Sequence, residues 1–270
     1  MLLVIYNINS NNINSNSINI IIMKIGFIIP STSKNRDNWK SIKDSYLYRL
    51  SINSFISVMD KEHTYVYYIG YDSDDRIYAD KEQHEDIYKV TTIFPNISFQ
   101  FVDLDGIEKG YHTKMWNKLF KKAYDDNCDY FYQCGDDIRF KTKHWINDSI
   151  EELKKHNDIG LTGPVNNNPR ILTQAFVSRK HMEIFGYFFP EEIINWCCDD
   201  WYNLVYKPNH FYPLMKHFAS NDGGPPRYTI NNDASFHEQE KFHKKLVELR
   251  AYANEIAERD KKKIEAYIEK

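Results

Sequence analysis

Two pairs of adjacent aspartates are the residues of this 270-residue chain best suited to chemistry. The first pair, Asp136 and Asp137, comes after a run ending in Tyr130-Phe131-Tyr132 that is typical of a buried strand. Two carboxylates at a strand end repel each other unless a cation or hydrogen-bond donors lie between them. The pattern favours a Mg²⁺ or Mn²⁺ site with open positions for a diphosphate. The alternative is an Asp-rich turn in which Asp137 caps the next element of the chain.

The second pair, Asp199 and Asp200, lies between Trp196 and Trp201 and begins a helical run that extends to Tyr206. Acidic side chains at a helix N-terminus interact favourably with the helix dipole, so a structural cap is one explanation. Carboxylates enclosed by aromatic rings can also act as a general base, or bind sugar hydroxyls while the rings stack on the sugar face. Both interpretations stay open at this point.

The elements that must position these pairs alternate between strands and helices, which favours an α/β fold with a mainly parallel sheet. In open α/β sheets, ligands bind beyond the carboxyl ends of the strands. The acidic loop after the second strand, with Asp72, Asp74 and Asp75, is therefore a third candidate. The sequence predicts strands at 24–29, 65–70, 97–102, 129–133, 160–163 and 172–177, and helices at 39–59, 114–124, 142–156, 179–185 and 201–206.

Both ends of the chain differ in composition from its middle. Residues 1–22 carry no charge and consist largely of Asn, Ile and Ser, so we interpret them as a low-complexity leader, with a buried edge strand as the alternative. Residues 236–270 place apolar side chains at 3-4 spacing in a charged background, which predicts an amphipathic helix. That helix would pack on the domain or form a coiled-coil homodimer. The folded domain is expected at 23–235.

Composition excludes several classes of function. The chain has 35 Lys+Arg against 38 Asp+Glu and a net charge of −3, without the basic excess that drives binding to nucleic acid. No stretch of about 20 apolar residues predicts a transmembrane segment. The cysteines lack the paired spacing of a structural zinc site, and they favour a reduced, cytoplasmic protein: Cys128, Cys134, Cys197 and Cys198.

From Met23 to about Tyr206, the order of these motifs resembles the family-2-like glycosyltransferases of the GT-A fold. The first strand ends in Pro30-Ser31-Thr32, like the nucleotide-binding loop of that family. The resemblance implies a single Rossmann-like domain that moves a sugar from a nucleotide-diphosphate sugar, expected to be a UDP-sugar, to an acceptor hydroxyl with inversion. The acceptor would be a glycan, a protein or a small molecule. The composition is also similar to that of glycosyltransferases encoded by large DNA viruses.

The resemblance also implies roles for residues that bind the nucleotide. Pro30, Ser31 and Thr32 would contact it through the first loop, and Asp72 or Asp74 would bind the nucleoside. A Lys and an Asn on the helix before the metal motif of the family correspond to two residues here: Lys114 and Asn117.

The D-x-D metal motif of the family matches Gly135-Asp136-Asp137, with glycine in place of the first acid. Asp137 would then bind Mn²⁺ or Mg²⁺, and Asp136 would lie near the ribose or a metal-bound water. GT-A enzymes often add a C-terminal histidine to the metal shell, and His237 and His217 are the candidates.

The Glu-Asp pair of the family, which begins a helix, matches Asp199-Asp200. Its aspartate is the catalytic base of inverting members, so Asp200 is the first candidate for the base and Asp199 the second. Two other functions stay open. A sugar-phosphate nucleotidyltransferase would normally carry a Gly-rich basic loop after the first strand, which this chain lacks. A non-catalytic carbohydrate-binding protein of the same fold is the other, because the first acid of the metal motif is missing.

Overall fold

A computed structural model describes residues 21–224, 228–233 and 239–270. Most of the predicted leader and the predicted metal ligand His237 lie outside the described residues. The strands, in chain order, are β1 (Lys24–Pro30), β2 (Thr64–Tyr71), β3 (Ile97–Asp103), β4 (Tyr130–Gln133), β5 (Ile138–Phe140), β6 (Leu161–Val165), β7 (Ala175–Ser178) and β8 (Phe211–Asn221). The α-helices are α1 (Asn53–Val58), α2 (Lys81–Ile93), α3 (His112–Asp125), α4 (Trp145–Lys155), α5 (Lys180–Phe185), α6 (Cys198–Tyr206) and α7 (Gln239–Ile268).

All eight strands form one sheet in the order β3-β2-β1-β4-β7-β6-β8-β5. The first four strands of that order are parallel to one another, and β6 is parallel to β8. Strand β7 runs antiparallel to both of its neighbours, and β5 runs antiparallel to β8 at the edge. The strand order reverses between β1 and β4, so a crevice is expected there beyond the carboxyl ends. The predicted α/β fold with a mainly parallel sheet is confirmed.

Strand β1 contributes side chains to the hydrophobic core on both faces of the sheet, because successive side chains of a strand point to opposite faces. On one face, Phe27 stacks on Tyr67 with ring centroids 4.7 Å apart and packs edge-on against Phe55. On the other face, Ile28 packs with the residues that α3 and α6 bury. Full burial of a side chain such as Phe27 stabilises the fold by roughly 1.5–3 kcal/mol. Central strands covered on both faces are therefore continuous apolar runs, as the sequence predicts.

The segment predicted as one helix at 39–59 is divided in the structure. A 3₁₀ turn at Ile42–Asp44 is followed by a π-helical segment at Leu47–Ile52, which leads into α1. The hydroxyl of Ser45 donates to the Ile42 carbonyl and accepts from the backbone N–H of Tyr48. This side chain competes with the backbone for hydrogen bonds, which interrupts a regular helix at that point.

The C-terminal helix predicted from the sequence is present as α7, and it packs against α6. Its apolar seam includes Ala253, Ile256 and Ala257, all buried. Asp260, also on α7, is fully buried and accepts hydrogen bonds from Tyr187 Oη at 2.8 Å and from Trp201 Nε1 at 3.2 Å. The helix is therefore part of the domain, and a homodimer through it stays a prediction. None of the described helices has the length and apolarity needed to cross a membrane.

Candidate functional site

Three neighbouring cavities open beyond the carboxyl ends of the parallel strands. We name them after one lining residue each. The Ser31 cavity is lined by Pro30, Ser31, Thr32, Asp72, Leu104, His112, Met115 and Tyr228. The Asp199 cavity has a volume of about 180 Å³ and is lined by His112, Trp116, Gln133, Thr173, Asn195, Trp196, Cys197, Cys198 and Asp199. The Lys109 cavity shares Thr32 and Asp72 with the Ser31 cavity. His112 lines both of the first two, so the three cavities adjoin one another, and we call them together the groove.

The loop after β1 is held in place by Asp75, which the sequence suggested only as part of an acidic loop. Its buried carboxylate accepts hydrogen bonds from Thr32 Oγ1 at 2.8 Å, from the Ser33 backbone N–H at 2.7 Å and from Ser33 Oγ at 2.9 Å. Burial alone would raise the pKa of Asp75, but hydrogen bonds led by those from the backbone of Tyr78 and Ser33 hold it below its ordinary value. The loop therefore presents Ser31 and Thr32 to the groove from a rigid base.

The predicted nucleotide residues Pro30, Ser31, Thr32 and Asp72 meet in the Ser31 cavity. Ser31 Oγ is buried and has no hydrogen-bond partner among the described residues. Burial raises the pKa of the neighbouring Asp72 carboxyl above its ordinary value. Asp74 lies outside this cavity: it lines the Lys109 cavity and accepts a hydrogen bond from Lys109 Nζ at 2.5 Å.

Lys114 and Asn117 line none of the three cavities. Lys114 Nζ lies 4.4 Å from the ring centroid of Tyr111. The amide oxygen of Asn117 accepts the backbone N–H groups of Phe188 and Phe189 at 3.0 and 2.9 Å, so this side chain fixes the loop after α5. The structure thus gives Asn117 a structural role, and nucleotide binding by either residue stays a prediction.

The acidic pair at the start of α6 is divided between two environments. Asp199 lines the Asp199 cavity, and the backbone N–H of Asp200 donates to its Oδ1 at 3.0 Å. Burial, together with the negative charge of Asp200, raises the pKa of the Asp199 carboxyl to about 7. A carboxylate with this pKa is poised to accept and release a proton near neutral pH.

Asp200, the first candidate for the base, is buried in an ion pair. The guanidinium of Arg170 donates from Nη1 to Oδ1 and from Nη2 to Oδ2, the latter at 3.2 Å. The Nε of Arg250, from α7, lies 4.0 Å from the same Oδ1. Successive residues of a helix point about 100° apart, so only one member of the pair faces the cavity. The geometry favours Asp199, the second candidate, over Asp200.

Several lining residues of the Asp199 cavity are absent from the sequence predictions. Gln133 is the last residue of β4, only 3% exposed, and its Oε1 has no hydrogen-bond partner among the described residues. The indole Nε1 of Trp116 is buried and likewise has no partner in that part of the chain. The signal for Gln133 was present in the sequence, because a polar residue ends an otherwise aromatic strand at the carboxyl edge. Trp116 and His112 lie on the helix face turned to the sheet edge, which sequence alone does not specify.

The predicted metal motif lies between β4 and β5. Asp136 is fully buried. Its expected contact with a ribose or a metal-bound water stays a prediction. Asp137 is partly exposed. A Cβ added to Gly135 would lie 2.6 Å from Asp137 Oδ1, and a Cβ added to Gly223 would lie 2.4 Å from Asp137 Oδ2. Only glycine lets both backbone segments approach this carboxylate so closely.

A divalent cation is compatible with this donor set. Among the described residues, no group of three or more His, Cys, Asp or Glu side chains could hold a metal. His217 bonds to Asp148 through Nε2 at 2.6 Å and to Thr142 through Nδ1 at 3.2 Å, and it borders none of the three cavities. Mg²⁺ is commonly held by one or two carboxylates, with its other positions filled by phosphate oxygens and water. Asp137 fits that kind of site, and a histidine ligand stays a prediction.

No model of a known protein family matches the sequence, and no curated protein matches it. Solved structures of TarS from S. aureus are similar in fold. TarS 1-349 in complex with UDP-GlcNAc has a TM-score of 0.53 and 14% identity, covering 88% of this chain and 70% of that one. The complex with UDP scores 0.49 at 15% identity, and a longer TarS structure scores 0.48 at 16% identity. This chain covers 37% of that longer structure and so spans only part of its length. The likeness to the UDP-GlcNAc complex shows that the chain has a GT-A type α/β fold.

Proposed function

We propose that the protein is a glycosyltransferase that moves a sugar from a nucleotide-diphosphate sugar, with a UDP-sugar as donor, to an acceptor hydroxyl. The observation that carries the proposal is the direct adjacency of two cavities. The Ser31 cavity offers Ser31 and Asp72 to a nucleotide, and across His112 the Asp199 cavity offers a carboxylate with a pKa of about 7. The fold shared with TarS, solved with UDP-GlcNAc, supports a donor of this type.

In the proposed complex, the nucleoside lies in the Ser31 cavity. The buried hydroxyl of Ser31, which has no partner among the described residues, would form a hydrogen bond to the nucleotide. The Asp72 carboxylate would accept a hydrogen bond from a hydroxyl or an N–H of the nucleoside. The rigid loop held by Asp75 keeps the hydroxyl in place before the ligand arrives. Preorganisation of this kind lowers the entropic cost of binding.

Asp137 would hold Mn²⁺ or Mg²⁺ at the end of β4. A cation bound there neutralises charge that develops on the diphosphate leaving group. The carboxylate of Asp137 lies close to Gly135 and Gly223, where an added Cβ would collide with it. This placement supports Asp137 as the protein ligand to the metal.

Asp199 would be the general base of an inverting reaction. Its carboxylate takes the proton of the acceptor hydroxyl while the acceptor oxygen forms a bond to the anomeric carbon, and the bond from that carbon to the diphosphate oxygen breaks with its electron pair. Asp200 would orient the start of α6 through its ion pair with Arg170. With a pKa of about 7, roughly half of the Asp199 side chains are ionised at neutral pH.

A thermal-shift titration with Mn²⁺, UDP and both together tests the proposal. A ligand at 100 times its dissociation constant stabilises the folded state by about 2.7 kcal/mol, so the melting temperature should rise with UDP and Mn²⁺ and little with UDP alone. Ser31→Ala should reduce the shift, whereas the matched control Ser57→Ala, at an exposed position of α1, should not. The absence of a shift with any nucleotide diphosphate would refute the proposed function.

A further inference from the structure

Two residues that line the Asp199 cavity, Gln133 and Trp116, each carry a buried polar atom that lacks a hydrogen-bond partner among the described residues. Gln133 Oε1 can only accept a hydrogen bond, and Trp116 Nε1 can only donate one. A buried polar group without a partner is unfavourable, and buried polar groups in proteins are nearly always paired. A hydroxyl group can donate to one such atom and accept from the other. The two side chains therefore point to a ligand that carries hydroxyl groups.

The charges around the Asp199 cavity disfavour an anionic ligand. Its described lining contains no Lys or Arg, and its one carboxylate is Asp199. Arg170 is close by, but its guanidinium is committed to both oxygens of Asp200. A carboxylate or phosphate in this space would meet a second negative charge, and no Lys or Arg of the described lining would offset the loss of hydration.

The apolar part of the lining fits the face of a sugar ring. The indoles of Trp116 and Trp196 both contribute to the wall. Each is held by a second aromatic ring, since Trp116 packs on Phe189 with centroids 5.3 Å apart and Trp196 meets Phe242 edge-on at 5.2 Å. Fixed aromatic walls beside unpaired polar atoms match a ring that has an apolar face and a hydroxyl-bearing rim.

We propose that the Asp199 cavity binds an uncharged sugar ring through Gln133 and Trp116 and discriminates against sugars that carry a carboxylate or a phosphate on the ring. This inference rests on the proposed function and names the class of sugar that the enzyme takes. The ring belongs either to the nucleotide-sugar donor or to the acceptor, and the binding chemistry is the same for both. Gln133 and Trp116 are then the residues that determine specificity.

Calorimetry with wild-type protein and Mn²⁺ tests the charge discrimination on the donor. UDP, UDP-GlcNAc, UDP-glucose and UDP-glucuronic acid are the probes. If the ring belongs to the donor, a neutral UDP-sugar should bind at least 10-fold more tightly than UDP-glucuronic acid. For the acceptor, release of UDP is measured with p-nitrophenyl β-glucoside and p-nitrophenyl β-glucuronide. If the ring belongs to the acceptor, only the glucoside should accelerate release.

Two variants test the residues, with a matched control. Gln133→Leu and Trp116→Phe each remove one unpaired polar atom and keep most of the side-chain volume. Each should lower the affinity of the neutral UDP-sugar relative to UDP, or raise the KM for the glucoside, by about 5- to 20-fold, as the loss of one hydrogen bond predicts. Trp145→Phe removes an indole N–H that is also unpartnered among the described residues but lies in the core, and it should leave these ratios unchanged.

A readout without ligand separates specificity from structure. Gln133→Leu should not lower the melting temperature of the ligand-free protein, because it removes a buried acceptor that has no partner among the described residues. Equal affinity for neutral and acidic UDP-sugars together with equal use of both acceptors would overturn the inference and leave the proposed function intact. The inference would also be overturned if both variants kept the wild-type affinity for the neutral UDP-sugar relative to UDP and the wild-type KM for the glucoside. Failure of the wild-type protein to bind any nucleotide would instead refute the proposed function and the inference with it.

Discussion

Replacement of Asp199 by asparagine is expected to stabilise the folded protein at pH 8 and to abolish sugar transfer. The pKa of this carboxyl is about 7 in the folded protein, compared with an ordinary value of 3.8. The folded protein therefore binds this proton more tightly than the unfolded chain does. As the pH rises from about 4 to about 7, the unfolded chain releases the proton first, so this group lowers the free energy of unfolding across that interval.

The size of the effect is set by the difference between the two pKa values. Each pKa unit corresponds to about 1.4 kcal/mol, so the ionised carboxyl costs up to about 4 kcal/mol of stability above pH 7. Asparagine does not titrate, and its amide oxygen can still accept the hydrogen bond from the Asp200 backbone. Asp199→Asn should thus match the wild type near pH 4, exceed it by about 2 kcal/mol near pH 5.5 and by about 4 kcal/mol at pH 8.

Urea titrations monitored by tryptophan fluorescence at pH 4, 5.5 and 8 measure this difference, since Trp201 on the same helix is fully buried. Asp105→Asn, at an exposed position, serves as the matched control and should change stability little at any pH. A stability difference between Asp199→Asn and wild type that stays constant from pH 4 to pH 8 would refute the reasoning, as would destabilisation at pH 8. Retained transfer by the variant would remove Asp199 from the role of base.

Three further outcomes are expected. The kcat/KM for transfer should rise with pH through a midpoint near 7 as the Asp199 carboxyl ionises. Asp200→Asn should move this midpoint to lower pH because it removes a neighbouring negative charge. A profile without a midpoint between pH 5 and 8 would contradict the assignment of Asp199 as the base. Gly223→Ala would place a Cβ 2.2 Å from the Cβ of Asp137, so we expect a loss of about 1–3 kcal/mol of stability and a weaker response to Mn²⁺ in thermal-shift titrations; a response equal to wild type would show that Asp137 does not bind the metal. Asp260→Ala should cost about 1–3 kcal/mol in denaturant titrations because it leaves the buried indole N–H of Trp201 without its acceptor, and a cost below 1 kcal/mol would show that this contact does not hold α7.

The parallel half of the sheet, including its edge strand β3, was predictable from the sequence, whereas β8 and the opposite edge strand β5 were not. Strands β1 and β2 are apolar along most of their length because helices cover both of their faces, which leaves a local signal. Strand β8 mixes buried and exposed side chains, including Met215 at 74% exposure, so it shows neither a continuous apolar run nor a clean alternation. Helix α2 was also missed, since only three of its thirteen residues are buried: His84, Ile87 and Val90.

The candidate site was predictable in position and only partly in detail. Adjacent acids at a helix start mark Asp199 and Asp200 in the sequence, but the rotation of α6 decides which of them faces the cavity. That rotation depends on Arg170 and Arg250, which are distant in sequence and reach Asp200 only in the folded protein. The same reason explains Gln133, whose lack of a partner among the described residues appears only when the surrounding side chains are in place.

Helix α7 has a consequence for the order in which the site is completed during synthesis. Domains form as their residues leave the ribosome, from the N-terminus onward. The whole sheet can pair before α7 emerges, but Trp196 then lacks Phe242 and Asp200 lacks Arg250. A chain interrupted after β8 would therefore carry an assembled sheet and an unsupported Asp199 cavity. The surroundings of Asp199 are therefore completed only when α7 docks, after the strands of the sheet have been synthesised.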